Sequence, residues 1–468
     1  MTAFSKKFIG NKAFYRTVLT IAVPVVLQNG ITQFVGVLDN IMVGRMGTEQ
    51  MSGVAIANHL IFVFNLAIFG ALSGAGIFGA QFSGKRDMDG VRHVLRFKLI
   101  VCAVLSLIAI AALILFSTPL LSLFLHEGDG TGDLALTLQN GREYLFISLI
   151  GLAPYALAQS YASTLRETGE TRIPMLGSGA AVILNLVFNY LLIFGKLGFP
   201  ALGVRGAALA TVISRFFELL IIALYAHLHT KRFPFFSKLY SSLRIPLPLV
   251  KDITKKGAPL LFNELMWSLG MTMLIQRYSV RGLEVVAAQN ISSTVSNLFN
   301  IVFMSVGSSI GIIVGNLLGA NRLEEARDTD RKIIALSLFL SFFFAAMLAL
   351  AAPFIPLLYK TTDDVRLLAT KFLFVSAAIM PLIAITQACY FTLRSGGQTR
   401  ITLLFDSCFV WGITIPVAYV LSRFTSIPIL PMFIIVNLTE IGKCVIGYVL
   451  VKGGKWIVNI VGRADAES

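Results

Sequence analysis

Thr17 to Gly44 is a run of 28 residues with a single charge, Asp39. As a helix rising about 1.5 Å per residue, the run is longer than the roughly 30 Å hydrocarbon core of a bilayer. It therefore spans a membrane and is tilted or bent. Pro24 lies inside it, where the missing N–H and the ring's clash with the carbonyl four residues earlier loosen a helix. A movable helix carrying one membrane-embedded carboxylate is the pattern of an ion-coupled machine. The other reading of Asp39 is a structural acid, snorkelling or salt-bridged near the outer end. It stands six residues from Arg45, about 9 Å from that boundary, and Asp reaches less far than Lys or Arg.

The rest of the chain repeats the pattern. Apolar runs bounded by charged or Gly/Pro-rich segments give twelve spans: 15–43, 52–81, 93–117, 140–163, 172–194 and 206–229, then 252–279, 285–314, 332–352, 366–392, 401–422 and 430–451. With 56% hydrophobic and 13% charged residues, the fold class is an all-α polytopic membrane protein. The net charge of +15 suggests nucleic acid at first sight, but the basic residues alternate in position with the spans. Taking the basic side as inside places 27 Lys and Arg inward and 10 outward, with Arg215 and Lys443 within spans. The positive-inside rule then puts both termini in the cytoplasm, and no nucleic-acid partner is expected. The N-terminus has no short apolar region with a small-residue cleavage site, so no cleaved signal peptide is expected.

The halves repeat. An offset of 235 takes Pro24 to Pro259, Asn65 to Asn300, Gly76 to Gly311 and Gly84 to Gly319. An offset of 228 takes Gln159 to Gln387, Leu165-Arg166 to Leu393-Arg394, Gly169 to Gly397 and Arg215 to Lys443. Matches this dense point to a duplicated six-helix unit whose copies keep one orientation. The expected organisation is an N-lobe over 1–230, a cytoplasmic linker over 231–251 and a C-lobe over 252–468, with the substrate path between the lobes.

Five acids fall within the spans: Asp39, Glu218, Glu264, Asp406 and Glu440. Arg215 with Glu218, and Glu440 with Lys443, stand at helical spacing and read as structural ion pairs. Asp39 and Glu264 have no basic residue three or four positions away, which makes them the candidates for proton or cation coupling. A carboxylate in a low-dielectric cavity is neutralised by a proton or by Na⁺ held with neighbouring oxygens. Asn185 and Asn189 place two amides on one face of the fifth span, to complete a cation site or to bond neighbouring helices. Glu264 with its neighbour Asn263, Gln159, Gln387 and Asp406 form the candidate substrate or second coupling site; a structural acid near Pro259 is the alternative for Glu264.

Other patterns carry less. Cys102, Cys389, Cys408 and Cys444 lie in apolar runs without CxxC spacing and read as buried thiols. Gly74 to Gly79 fits GxGxxG, but inside an apolar span it reads as close helix packing. His227 and His229 face different ways, no zinc-ligand spacing is present, and there is no GxxxxGK[ST] loop for ATP. No cofactor is expected, and no metal beyond Na⁺ at Asp39.

These residues resemble a known family. Leu19-Thr20 through Pro24 to Asp39 and Val43-Gly44 is similar to the opening of multidrug and toxic compound extrusion (MATE) transporters. LRETGETRIPM (165–175), NLVFNYLLIFG (185–195) and GVRGAALATVISR (203–215) resemble its middle motif, and LRSGGQTR its repeat. The resemblance implies two six-helix lobes in a V that open alternately to either side, and secondary active antiport of organic cations for Na⁺ or H⁺. By position it also implies that Asp39 is the N-lobe carboxylate, with Asn185, Asn189 and Thr211 its cation-site companions, Pro24 the hinge, and Glu264 the acid used by some branches. One branch has Asp where Asn189 stands, and the tenth-span acid of another is absent from 381–393, so the coupling ion stays open. The partners implied are cationic amphiphilic small molecules and the lipid bilayer, for a monomer in a bacterial-type inner membrane. Two rivals remain. A flippase for lipid-linked intermediates needs a cavity dense in cationic side chains, and a membrane-embedded enzyme needs a clustered nucleophile or metal set.

Overall fold

A computed structural model describes residues 8–122, 133–359 and 361–462; Lys6, Lys7, Lys360 and Arg463, counted in the charge balance, lie outside them. All regular structure among the described residues is helical. The elements are α1 (Lys12–Gly44), α2 (Thr48–Lys85), α3 (Met88–Ser122), α4 (Leu134–Leu149), α5 (Leu152–Glu167), α6 (Arg172–Phe194) and α7 (Val204–Leu228). After a short 3₁₀ turn, Pro234–Phe236, come α8 (Leu247–Ser279), α9 (Leu283–Gly319), α10 (Leu323–Ala351), α11 (Asp363–Ser395), α12 (Thr399–Phe424) and α13 (Ile429–Lys452). Eleven of these are long and apolar enough to cross a membrane, and the bent pair α4 and α5 makes a twelfth span.

The fourth span, expected as one helix, is two helices meeting at 49°. Gly151 stands at the break, where a Cβ would sit 3.1 Å from Arg215 Cδ, so the missing side chain admits α7's arginine. α3 loses helical geometry at Phe116 (φ −115°, ψ 16°), three residues before Pro119, whose ring crowds the preceding turn. Pro24, Pro259 and Pro381 lie inside continuous helices. α12 contains two π turns, Leu404–Cys408 and Val410–Thr414, and each widened turn rotates the side chains that follow.

The chain divides into two compact units. One comprises Leu27–Gly79 and Asp87–Ile253; the other comprises Met1–Val26, Ala80–Arg86 and Thr254–Ser468. The first is built on an apolar cluster that joins Val43, Ile61, Phe64, Cys102, Leu145, Ile193 and Ala208. In the second, Val18 and Ala22 of α1 pack with Ile310, Val314, Ile333 and Trp456. Gly84 and Gly319, one repeat apart, meet in this second unit: a Cβ on Gly84 would strike the Asn316 carbonyl, and one on Gly319 the Gln81 carbonyl. Only glycines let the two backbones approach so closely. Large apolar residues on the outside, such as Leu107, Ile108, Phe339 and Leu350, suit a surface facing hydrocarbon.

The segment after α7 packs onto its own unit. Arg96 donates to the carbonyls of Lys238, Leu239 and Arg244, and Arg92 to those of Pro234 and Phe235. Phe235 and Phe236 are buried. The Tyr161 ring stacks on Phe236, and its hydroxyl bonds His227 Nε2 at 2.9 Å and Tyr240 at 2.5 Å.

Candidate functional site

Asp39 comes from α1, Asn185 and Asn189 from α6, and Thr211 from α7. Asn189 Nδ2 donates to Asp39 Oδ1 at 2.6 Å and to Asn185 Oδ1 at 3.1 Å. Asn185 Nδ2 donates to Thr211 Oγ1 at 3.3 Å; with its amide turned over, the same nitrogen would donate to both Asp39 oxygens at 3.0 and 3.1 Å. Both asparagines are buried and Asp39 is half-buried. No ion pair joins Asp39 to a Lys or Arg among the described residues. Asn189 Oδ1 is buried and accepts no hydrogen bond among the described residues, a condition that costs about 1–3 kcal/mol. The arrangement therefore offers a carboxylate, an orphaned amide oxygen and a hydroxyl oxygen in one buried place, open to a proton or a small cation.

A second polar cluster lies in the other unit. Tyr390 of α11 donates its hydroxyl to Glu264 Oε1 at 2.7 Å. The neighbouring Asn263, fully buried, donates to Asp406 Oδ2 at 2.9 Å and accepts from Ser407 Oγ at 2.7 Å. Asp406 is ion-paired with Lys443 of α13 at 2.6 Å. The first π turn of α12 carries Asp406 and Ser407, which brings one to Lys443 and the other onto Asn263.

The MatE family profile matches residues 24–191 and again 259–420. The chain belongs to the MATE family of transporters. The two matches begin 235 residues apart and end 229 apart, which restates the internal repeat. A probable multidrug resistance protein NorM of Thermotoga maritima is 26% identical over 445 residues, covering 94% of this chain and 93% of the relative. One of the same name from Bacillus licheniformis is 26% identical over 414 residues, covering 88% and 89%. A solved outward-facing multidrug resistance MATE transporter superposes with a TM-score of 0.84 at 18% identity, covering 97% of this chain and 98% of that one. The all-α fold is thus a MATE fold, and a MATE protein is a transporter and not an enzyme.

Within this MATE chain, Asp39, Asn185, Asn189 and Thr211 come together in one unit, while Asn263, Glu264 and Asp406 come together in the other. Among the described residues no hydrogen bond links Gln159 or Gln387 to either cluster; both are half-buried in their helices. Pro24 stands two residues before the boundary between the units, which falls inside α1 after Val26. The in-helix ion pairs are corrected. Lys443 bonds Asp406 across helices, where Glu440 was the expected partner. Glu218 accepts from Ser178 at 2.5 Å, and Arg215 lies over Tyr155 at 5.0 Å. Cys408 is exposed, not buried. The sequence reading missed the buried pair of Lys98 and Glu167 at 2.6 Å and Asp330, which accepts from Thr392 at 2.5 Å. Glu167 and Asp330 fall between the expected spans, and Lys98, five residues into the third, counts with the inward-facing charges. Asn65 and Asn300, matched in sequence only as a repeat pair, each have a buried Oδ1 that accepts no hydrogen bond among the described residues.

Proposed function

We propose that this transporter is a multidrug exporter that moves organic cations by secondary antiport, in exchange for Na⁺ or H⁺, across a bacterial-type inner membrane with both termini cytoplasmic. The observation that carries the reading is Asp39, a half-buried carboxylate held by a neutral amide at 2.6 Å beside an orphaned amide oxygen. The names of the relatives support drug export, and the excess of Lys and Arg on one side supports the orientation.

An amide presents either nitrogen or oxygen by turning about its last torsion. With nitrogen inward, Asn189 holds the bare carboxylate. With oxygens inward, Asn185, Asn189 and the Thr211 hydroxyl would complete a ring around Na⁺, whereas a proton needs only the Asp39 oxygen. Either ion removes the site's negative charge, and with it the attraction for a cationic drug. Coupling then requires only that ion and drug favour different states. Pro24, inside α1, is the place where a change of bend costs least.

The test uses purified protein in proteoliposomes with ethidium as the cargo. Asp39→Asn should abolish gradient-driven efflux while the protein stays monodisperse; efflux at the wild-type rate sinks the reading. Wild-type counterflow under a Na⁺ gradient and, separately, a pH gradient identifies the ion.

A further inference from the structure

Gln28 stands eleven residues before Asp39 on α1, and Ser178 eleven before Asn189 on α6. Eleven residues are close to three helical turns, so each pair shares a face about 16 Å apart. These two begin a second buried polar layer in the same unit. Arg166 Nη1 of α5 donates to Gln28 Oε1 at 3.2 Å, Gln28 Nε2 to Ser178 Oγ at 2.7 Å, and Ser178 Oγ to Glu218 Oε1 at 2.5 Å. Glu218 is only 8% exposed. Among the described residues Arg215, one turn earlier on α7, gives it no hydrogen bond: that guanidinium lies over Tyr155, and its Nη1 has no partner there.

The second repeat shows the same layer in a locked form. The offset of 235 relates Gln28 to Asn263, and the offset of 228 relates Ser178 to Asp406 and Arg215 to Lys443. There the amide also donates to its partner, Asn263 to Asp406, but Lys443 closes an ion pair on that acid at 2.6 Å. In the first repeat the acid stands at Glu218, and among the described residues no ion pair closes on it.

We propose that Glu218 is a second protonation site of the transport cycle, taking a proton from water and returning it as α1 changes its bend. The proposal rests on the antiport reading. A buried carboxylate without a bonded cation is neutralised, and the surroundings favour a proton over Na⁺. Arg166 and Tyr155 face Glu218 from α5, Arg215 from its own helix, Ser178 from α6 and Gln28 from α1, while Tyr144 of α4 faces Arg215. Na⁺ needs several oxygen ligands, and the nearest hydroxyl already donates to the carboxylate. A proton needs no further ligand. Gln28 lies one turn past Pro24 and holds Arg166 by its amide oxygen. When a bend at Pro24 withdraws Gln28, Arg166 is released to pair with Glu218, and the proton leaves to water.

The experiment is pH-difference infrared spectroscopy of the full-length protein in lipid, with ethidium efflux measured alongside. A protonated-carboxyl band that is lost in E218Q and kept in D39N supports the site; an E218Q spectrum identical to wild type overturns it. If E218Q does not fold, S178A decides: removal of the hydroxyl donor should move the band, and an unmoved band overturns the proposal. E218Q should also slow pH-gradient-driven ethidium efflux about ten-fold, and an unchanged rate overturns the coupling. D39N without gradient dependence but with the Glu218 band intact supports both assignments. D39N at the wild-type rate sinks the antiport reading while the infrared result still judges Glu218.

Discussion

Replacing Lys98 by methionine should destabilise the fold more than any surface change. Lys98 Nζ lies 2.6 Å from both Glu167 oxygens and also donates to Ser163 and Thr164 at 3.1 and 3.2 Å. Its side chain is 0% exposed and that of Glu167 10%. At an effective dielectric of about 20, charges this close attract by about 6 kcal/mol. The cost of taking both from water offsets most of that, so the intact pair adds little net stability. Removing one partner is different, because the carboxylate's desolvation then stands without its lysine. Lys98→Met should therefore cost about 3–5 kcal/mol, whereas Lys98→Met with Glu167→Met should recover most of it. Reversible chemical denaturation in detergent micelles, run as a double-mutant cycle, gives both numbers. A single-variant cost below about 1 kcal/mol, the range of an exposed pair, would refute the reasoning.

Two further outcomes follow from the packing. Gly84→Val should prevent recovery of monodisperse protein by size exclusion, since its Cβ meets the Asn316 backbone, whereas Gly179→Ala, with nothing within 4 Å of its Cβ, should behave as wild type. Arg96→Ala removes three hydrogen bonds to 238–244, each worth about 1.5–3 kcal/mol when the donor is charged. Trypsin should then cut at Lys238 and Arg244 faster than in wild type, and equal rates would contradict the docking of that segment.

The membrane spans and the repeat were legible because each rests on long patterns: apolar length for the one, near-constant offsets for the other. Asn185 and Asn189 were legible because helical spacing alone puts them on one face. What escaped were contacts between helices. Glu218 and Arg215 stand three apart, yet one turns to Ser178 and the other to Tyr155, since packing and not spacing chooses the partner. Glu167 reads as a loop charge just past the fourth span and Lys98 as an inward-facing charge at the start of the third, and only the fold joins α3 to α5 there. The π turn that delivers Asp406 to Lys443 leaves no mark in the periodicity of so short a stretch.

The stretch from Pro234 to Arg244 is tied to α3 by two arginines and stacked on Tyr161, so it belongs to the folded body that precedes it. Anyone expressing the two repeats as separate polypeptides should place the cut between Arg244 and Leu247. A cut near residue 231 would strand Arg92 and Arg96 without their carbonyls and leave Phe235 and Phe236 bare on the wrong fragment.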